Sequence, residues 1–347
     1  MQHRAAATTR GEPTLQGMIR AGDQLHIDVR LAPGDMRASL REDVRRGLAD
    51  TPKRLPAKWH YDDVGSRLFD EITRMPEYYP TRREREILVA QVDEIAALTR
   101  ADTLIELGSG TGEKTRLLLS ALAAAGRLER FVPFDVSEAI LRESAVAILE
   151  EYPGIEVCGI VGDFERHLDA LPRTGRRLVA FLGGTIGNLR PDGRARLLAG
   201  LARSLDDDDM LLLGADLVKP RARLVAAYDD PGGFSARFSH NLLTMLNREL
   251  GADFDVRRFR HEAVWDERNE WMEIGLVSLQ RQVVTLAELD MTVEFGEGEK
   301  LQTEISAKFS RERLAAEMAA AGLAAVRFWT DDAAEFSLSL WSRHPAA

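Results

Sequence analysis

Sulfur chemistry is nearly absent from this chain, whose single cysteine is Cys158. One cysteine forms no internal disulfide and no cysteine metal cluster, so a reducing compartment fits and a cytoplasmic location is expected. No run of 18 or more apolar residues occurs, and the opening stretch MQHRAAATTRGEPTLQG lacks the apolar core of a signal peptide. Neither spanning nor anchoring to a membrane is expected. Positive charge is in deficit: 46 Lys and Arg against 56 Asp and Glu leave a formal net charge of −10. That sign disfavours a nucleic-acid partner. The seven histidines are scattered, with no H-E-x-x-H and no pair at metal-ligand spacing, so no metal is expected.

What is present is a globular balance, 45% hydrophobic over 347 residues, enough for about two domains of roughly 150 residues each. Residues 1 to 34 mix Arg, Thr, Gly and Pro without periodicity and are expected to form a mobile leader outside the fold. Leu40, Val44 and Leu48 recur every fourth residue among charges, which predicts a helix over 36–48 packed on one side. Between Trp59 and Leu88 lies an aromatic, proline-rich stretch in which Thr81 is placed to cap the next helix. The P76-E-Y-Y-P80 turn reads as a core plug whose phenol groups need partners. Short apolar runs then alternate with helical patterns: TLIELGSG, RFVPFD, IEVCGIVGDF, RRLVAFLGGTIGN and DMLLLGADLV. This alternation predicts an α/β fold with a doubly wound parallel sheet, ligands sitting at the carboxyl ends of its strands. After Asp216 a helix over 236–249 and antiparallel strands predict a second, α+β unit. A last helix over 311–321 and the segment FWTDDAAEFSLSLW return to the sheet. The run Asp206 to Asp209 is read as a solvated turn rather than a cation site.

E106-L-G-S-G-T-G-E-K-T115 follows a strand and opens a helix, so its glycines let the backbone approach a ligand at a helix N-terminus. A Walker A loop counted from Gly108 has Glu113 where glycine is needed, and its charge would oppose phosphates. The dinucleotide pattern fails at the same residue. What remains is E-x-G-x-G-x-G with Asp135 ending the next strand, where a carboxylate accepts both hydroxyls of a ribose. S-adenosylmethionine is such a ligand, with Asp163 and Phe164 placed to meet its adenine. Each element has a plainer alternative: Asp135 and Asp163 as helix caps, Phe164 as core.

The chain resembles the histidine-specific N-alpha-methyltransferases of ergothioneine biosynthesis. The resemblance runs from about Met36 to Leu340 and is carried by KWHYDDVGSRLFDEITRMPEYYPTRRE, IELGSGTGEKTRLLL, FVPFDVS, GDFERHL, LVAFLGGTIGNL, LLLGADLVK, AYDDPGG, NRELGADFD, TEISAKF and FWTDDAAEFSLSL. It implies a Rossmann-like class I methyltransferase sheet (82–218 plus 308–343) and a second substrate-binding domain (35–81 plus 219–307). It also implies that S-adenosylmethionine is held by Gly108, Lys114, Asp135, Asp163 and Phe164. L-histidine and its mono- and dimethylated forms would be held by Tyr78, Asn188, Tyr228, Glu304 and Ser306, with Tyr61 near the reacting amine. Asn188 and Tyr61 are thereby the candidate catalytic residues. Ile274 stands where the family usually has a methionine lining the pocket, and Gly184 where a serine is common. A monomer is left open.

Period-two alternation puts Glu304 and Ser306 on one strand face, able to meet both ring nitrogens of an imidazole. An alternating solvent face of an edge strand is the plainer reading. Tyr78 and Tyr228 supply neutral donors for a substrate carboxylate, without a cation beside a sulfonium. Asn188 either contacts the amino acid or ties down the G-T-I-G-N turn. The rival functions are methylation of another amino acid such as tyrosine or tryptophan, donor binding without turnover, and an NTPase.

Overall fold

The computed structural model describes residues 24–31, 33–110 and 112–343. Its centre is an eight-stranded sheet. Five parallel strands, β2 (Thr103–Leu107), β3 (Arg130–Asp135), β4 (Glu156–Val161), β5 (Arg177–Phe181) and β6 (Met210–Asp216), correspond to the five apolar runs. They are joined on one edge by β1 (Leu25–Val29) and on the other by β12 (Leu323–Thr330) and β13 (Phe336–Arg343), in the order β1-β4-β3-β2-β5-β6-β13-β12. Chain order reverses between β2 and β5, and this is the switch point at which such sheets bind ligands.

Alternation along the strands explains the layers. Ile105, Val132, Phe134, Val179 and Phe181 point to one face and pack on α6 (Pro191–Ser204) and α9 (Arg311–Ala320). Leu104, Phe131, Val157, Leu178 and Leu212 point to the other and pack on α3 (Pro80–Thr99), α4 (Thr115–Ala124) and α5 (Glu138–Glu151). With both faces covered, β2 and β5 are buried at every residue, as their unbroken apolar sequences require.

A second body of structure combines α1 (Pro33–Ala49), α2 (Asp63–Arg74), α7 (Arg221–Tyr228) and α8 (Phe234–Leu250) with the antiparallel sheet β11-β8-β7 and a β9–β10 hairpin. These strands are β7 (Phe259–Asp266), β8 (Trp271–Ser278), β9 (Gln282–Leu286), β10 (Met291–Phe295) and β11 (Lys300–Ala307). Leu40, Val44 and Leu48 of α1 are buried against Leu242, Leu246, Leu276 and Leu301, the stripe that the four-residue period predicts.

Three expectations need correction. The stretch 1–34 is not wholly outside the fold, because β1 pairs in parallel with β4 from Leu25↔Val157 to Val29↔Val161; residues 1–23 and 32 lie outside the described residues. Thr81 does not cap α3, which starts one residue earlier with Pro80 in its first turn and no side-chain cap, a position where the missing proline N–H is harmless. The Asp206 to Asp209 turn is not fully solvated. Asp209 is 2% exposed and pairs with Arg177, itself 1% exposed, and it also accepts the backbone N–H of Arg177 at 2.8 Å and of Asp206 at 2.7 Å.

Removing one partner of a buried ion pair leaves the other charge uncompensated. Asp209→Ala should therefore destabilise the protein by about 3 kcal/mol, seen as a lower urea midpoint, whereas Asp208→Ala, whose side chain is 82% exposed, should leave the midpoint unchanged.

Candidate active site

The glycine-rich loop leaves β2 at the switch point. Gly108 and Gly110 have φ of +72° and +48°, and a methyl group placed on either would enter open space. The loop thus needs glycine for its backbone conformation and leaves room beside it for a ligand. Thr111 lies outside the described residues. Asp135, at the end of β3, accepts the N–H of Gly110 at 3.0 Å and of Ser137 at 2.9 Å. It fastens the loop, while the cap of α5 is Ser137, which accepts from Ile140. Burial raises the Asp135 carboxyl above its ordinary range.

Beyond β4, Asp163 accepts the N–H of Glu165 at 2.9 Å and faces the Lys58 ammonium at 3.4 Å. Lys58 reaches it from the segment before α2 and also pairs with Asp43 at 3.2 Å. Phe164 packs edge-on against Phe181 with centroids 5.3 Å apart. Lys114 is paired with the fully buried carboxylate of Glu84, which also accepts the N–H of Gly183 at 2.7 Å. The lysine therefore links the loop, α3 and the turn after β5. Glu106 accepts from the Thr115 hydroxyl, and burial pushes its carboxyl up to about 8. The five residues expected at the donor site thus lie at the carboxyl ends of β2, β3 and β4. Glu84 and Lys58 escaped the sequence reading because their partners are 30 and 105 residues away.

A cavity lies among α2, α7, α8, β8 and β11. Its walls include Phe69, Tyr78, Tyr228, Phe238, Ile274 and Glu304. Tyr78 and Tyr228 meet edge to face, 6.1 Å between centroids. Ile274 of β8 is the cross-strand partner of Glu304 on β11, so the position where the family usually has methionine lies directly beside the carboxylate. Tyr61 packs edge-on against Phe69 and Phe238 at 5.4 and 5.5 Å; the residue is 36% exposed, yet its hydroxyl is desolvated and feels Glu304, Tyr78 and Tyr228, which together raise its proton affinity. Asn188 ends the short 3-10 turn Thr185–Asn188 and is not among the lining residues. That turn lies close on β11, since a side chain on Gly187 would come 2.8 Å from the Ala307 carbonyl oxygen. It is tied by Thr185, whose hydroxyl donates to Leu182 O at 3.0 Å, and by the Gly187 N–H to Gly184 O at 2.9 Å. Those bonds serve the structural role otherwise open to Asn188. Gly184 has φ of +67°, a conformation that glycine adopts more readily than serine.

Desolvation pushes the Glu304 carboxyl up to about 7, with the Lys308 ammonium pulling it down. His261 contacts the Tyr228 carbonyl through Nε2 at 2.9 Å and Ser239 Oγ through Nδ1 at 2.9 Å. A carbonyl only accepts, so Nε2 carries the proton and, in the neutral ring that burial favours, Nδ1 accepts from the serine.

Behind Ser306 runs a network that the sequence reading missed. Lys308, 0% exposed, lies 2.7 Å from Tyr228 Oη, 2.8 Å from Ser306 Oγ and 2.7 Å from Asp216 Oδ2. Asp216 ends β6 and also accepts from Tyr79 Oη at 2.8 Å and pairs with Lys219. Burial lowers the proton affinity of Lys308, and Asp216 works against that. The expectation that only neutral donors surround the substrate is thus corrected: a cation touches Tyr228, its charge balanced by Asp216. The signal was present in TEISAKF, where Glu304, Ser306 and Lys308 share one period-two face.

A doubly wound sheet with a glycine loop at its switch point and an acidic residue ending the next strand is the architecture of a Rossmann-like class I methyltransferase. The chain belongs to the family described as histidine-specific methyltransferase, SAM-dependent, whose family model matches residues 40–343. It is 57% identical over 302 residues to a histidine N-alpha-methyltransferase of Mycobacterium tuberculosis (strain CDC 1551 / Oshkosh), covering 87% of this chain and 94% of the relative. A protein of the same description from Mycolicibacterium smegmatis is 54% identical over 310 residues, covering 89% and 97%. An ergothioneine biosynthesis protein 1 of Schizosaccharomyces pombe is 36% identical over 225 residues, covering 61% and 29%. Among the described residues no helix is long and apolar enough to cross a membrane, and no group of three or more His, Cys, Asp or Glu is placed to hold a metal.

Glu304 and Glu106 hold a proton more tightly folded than unfolded, where the ordinary value is 4.5. Their contribution to stability is complete below that value and is lost as pH rises through about 7 and 8. The ligand-free protein should lose stability over this window, and Glu304→Gln should make the decline in urea midpoint shallower.

Proposed function

We propose that this enzyme transfers three methyl groups from S-adenosylmethionine to the α-amino nitrogen of L-histidine, giving hercynine, the first step of ergothioneine biosynthesis. The observation that carries the reading is Glu304 facing a tyrosine-lined cavity, with Ser306 one alternation further along the same strand. A carboxylate and a hydroxyl on one strand face suit the two separate nitrogens of an imidazole, whereas an indole offers a single ring N–H and a phenol a single hydroxyl. We read the glycine-loop body as the donor-binding domain and the body built from 35–81 and 219–307 as the substrate-binding domain. Location in the cytoplasm is part of the same proposal, supported by the single, unpaired Cys158.

The open space beside Gly108 and Gly110, with Asp135 at the end of the neighbouring strand, fits a nucleoside-bearing donor. When bound, this donor supplies a methyl group activated by a sulfonium. Gly108, Lys114, Asp135, Asp163 and Phe164 form its site in our reading, Lys114 and Asp135 by fixing the shape of the loop. Tyr78, Tyr228 and Asn188 orient the carboxylate and amine of the amino acid, and Glu304 and Ser306 anchor the ring. The uncharged amine then attacks in line, over roughly 3 to 3.5 Å, so alignment is the main catalytic effect. The N–C bond forms as the S–C bond breaks, with its electron pair leaving on sulfur. The first two products carry a proton on nitrogen that must depart before the next transfer. In our reading Tyr61, whose residue surface is partly exposed, passes it on to water. The third product is quaternary, has no such proton and cannot react again, so trimethylation ends the sequence without a counting device.

Incubation with S-adenosylmethionine and all twenty amino acids, followed by mass spectrometry, should yield trimethylated histidine alone. A different methylated amino acid would overturn the Glu304 and Ser306 assignment, and donor binding without product would make the protein a sensor. Glu304→Ala should lower kcat/KM for histidine about 10- to 100-fold, the loss of a hydrogen bond to a charged group, and weaken discrimination against other amino acids. Tyr61→Phe should slow the proton-dependent later methylations, so monomethyl and dimethyl histidine accumulate; full rate in all three steps would remove Tyr61 from that role.

A further inference from the structure

The stretch from Met75 to Tyr79, between α2 and α3, has no regular secondary structure, yet it carries Tyr78 into the cavity wall. Its own backbone closes two turns, Tyr78 N–H to Met75 O at 3.1 Å and Tyr79 N–H to Glu77 O at 3.0 Å. The rest of its fixing comes from arginines. Arg82 donates to Met75 O at 2.7 Å and to Pro76 O at 2.6 Å. Arg223 of α7 donates to Glu77 O at 3.4 Å and stands over the Tyr79 ring, 4.6 Å from its centroid.

Arg223 is itself held by Glu335, from Nε at 2.7 Å and from Nη2 at 3.3 Å, and the same carboxylate accepts from Arg83 Nε of α3 at 2.8 Å. A two-point contact between a guanidinium and a carboxylate fixes direction as well as distance. Glu335 is a firm anchor for it. Its side chain is 14% exposed, its N–H donates to the Asp331 carboxylate at 2.9 Å, and its carbonyl accepts from the N–H of Leu217 at 3.1 Å. Arg223 above all, with Arg83, holds the Glu335 carboxyl down to about 2 against the opposing effect of burial. The helix that Glu335 grips near its start ends in Tyr228, whose ring meets that of Tyr78 at 6.1 Å. One carboxylate between β12 and β13 thus joins the turn carrying Tyr78, the helix carrying Tyr228, and α3.

We propose that Glu335 is a positioning residue that, through Arg223, holds Tyr78 in place opposite Tyr228 and so sets how tightly the cavity grips the carboxylate of the amino acid. This rests on the reading of the two tyrosines given above. Removing the charge of Glu335 leaves neither arginine without a partner. Arg83 keeps Glu86 at 2.8 Å and Asp331 at 3.6 Å, and Arg223 keeps the Glu77 carbonyl and the Tyr79 ring. Glu335→Gln therefore loosens the clamp without burying an unpaired cation.

The test measures L-histidine binding to the full-length enzyme by calorimetry, with S-adenosylhomocysteine present to prevent turnover. Glu335→Gln should raise the Kd for histidine about tenfold, the scale of one hydrogen bond to a charged group. The Kd for S-adenosylhomocysteine, measured alone, should stay within about twofold of wild type, since the clamp reaches the amino-acid cavity and not the glycine loop. A double-mutant cycle shows whether the effect runs through Tyr78. Once Tyr78→Phe has removed the hydroxyl, adding Glu335→Gln should raise the histidine Kd by less than about threefold more. Wild-type histidine affinity in Glu335→Gln would overturn the proposal. So would a full additive loss in the Tyr78→Phe background, or an equal weakening of S-adenosylhomocysteine, either of which marks a general structural role. If Glu335→Gln does not fold, Arg223→Met takes its place with the same outcomes. A wild-type protein that binds no histidine would overturn the functional reading and this inference with it, and a Tyr78→Phe protein with wild-type affinity would overturn the role of Tyr78 and the inference together. The other adverse results overturn the inference alone.

Discussion

One buried carboxylate organises the meeting of the two bodies of this protein. Asp216 ends β6 at the ligand-binding edge of the sheet and is 3% exposed. It holds Lys308 from just past the strand that carries Glu304 and Ser306, Lys219 from the turn that follows β6, and Tyr79 from the entry to α3. A carboxylate in such a place is tolerable only when its lone pairs are met by charged or hydroxyl donors. That requirement draws three separate stretches of chain to one point. The ring-binding strand, the aromatic turn before α3 and the donor rim are thereby held in fixed relation. Glu84 does the same on the other side of the rim, tying α3 to Lys114 and to the N–H of Gly183.

Much of the sheet was legible because its strands are buried on both faces and so read as unbroken apolar runs between glycine and acidic residues. The edges were not. β1 has the burial pattern of a half-exposed strand and lies in a stretch rich in Arg and Thr, so its pairing with β4 rests on backbone hydrogen bonds that leave little trace in side-chain patterning. β7 was overlooked for a related reason: its Phe259–Asp266 sequence alternates only weakly, and its partner β8 supplies most of the apolar surface.

The site divides along the same line. Residues whose placement follows from local spacing, such as the glycine loop, Asp135 and the Glu304/Ser306 alternation, were readable. Residues whose role depends on a distant partner were not. Lys308 shares a face with Glu304 and Ser306, yet nothing nearby in sequence shows that Asp216 and Tyr228 surround it. The aromatic turn illustrates both cases. Tyr78 and Tyr79 were expected to be plugs needing partners for their hydroxyls, and only the fold shows that Tyr79 finds Asp216 while Tyr78 faces the cavity.

The place of β13 bears on how the molecule is made. Residues 336–343, among the last of the described chain, lie between β6 and β12, with Phe336 opposite Asp216 in the antiparallel ladder. Until β13 is in place the sheet therefore has an open edge along β6, a strand buried at nearly every residue in the finished fold. A chain truncated before Phe336 would expose that edge to pairing with other chains.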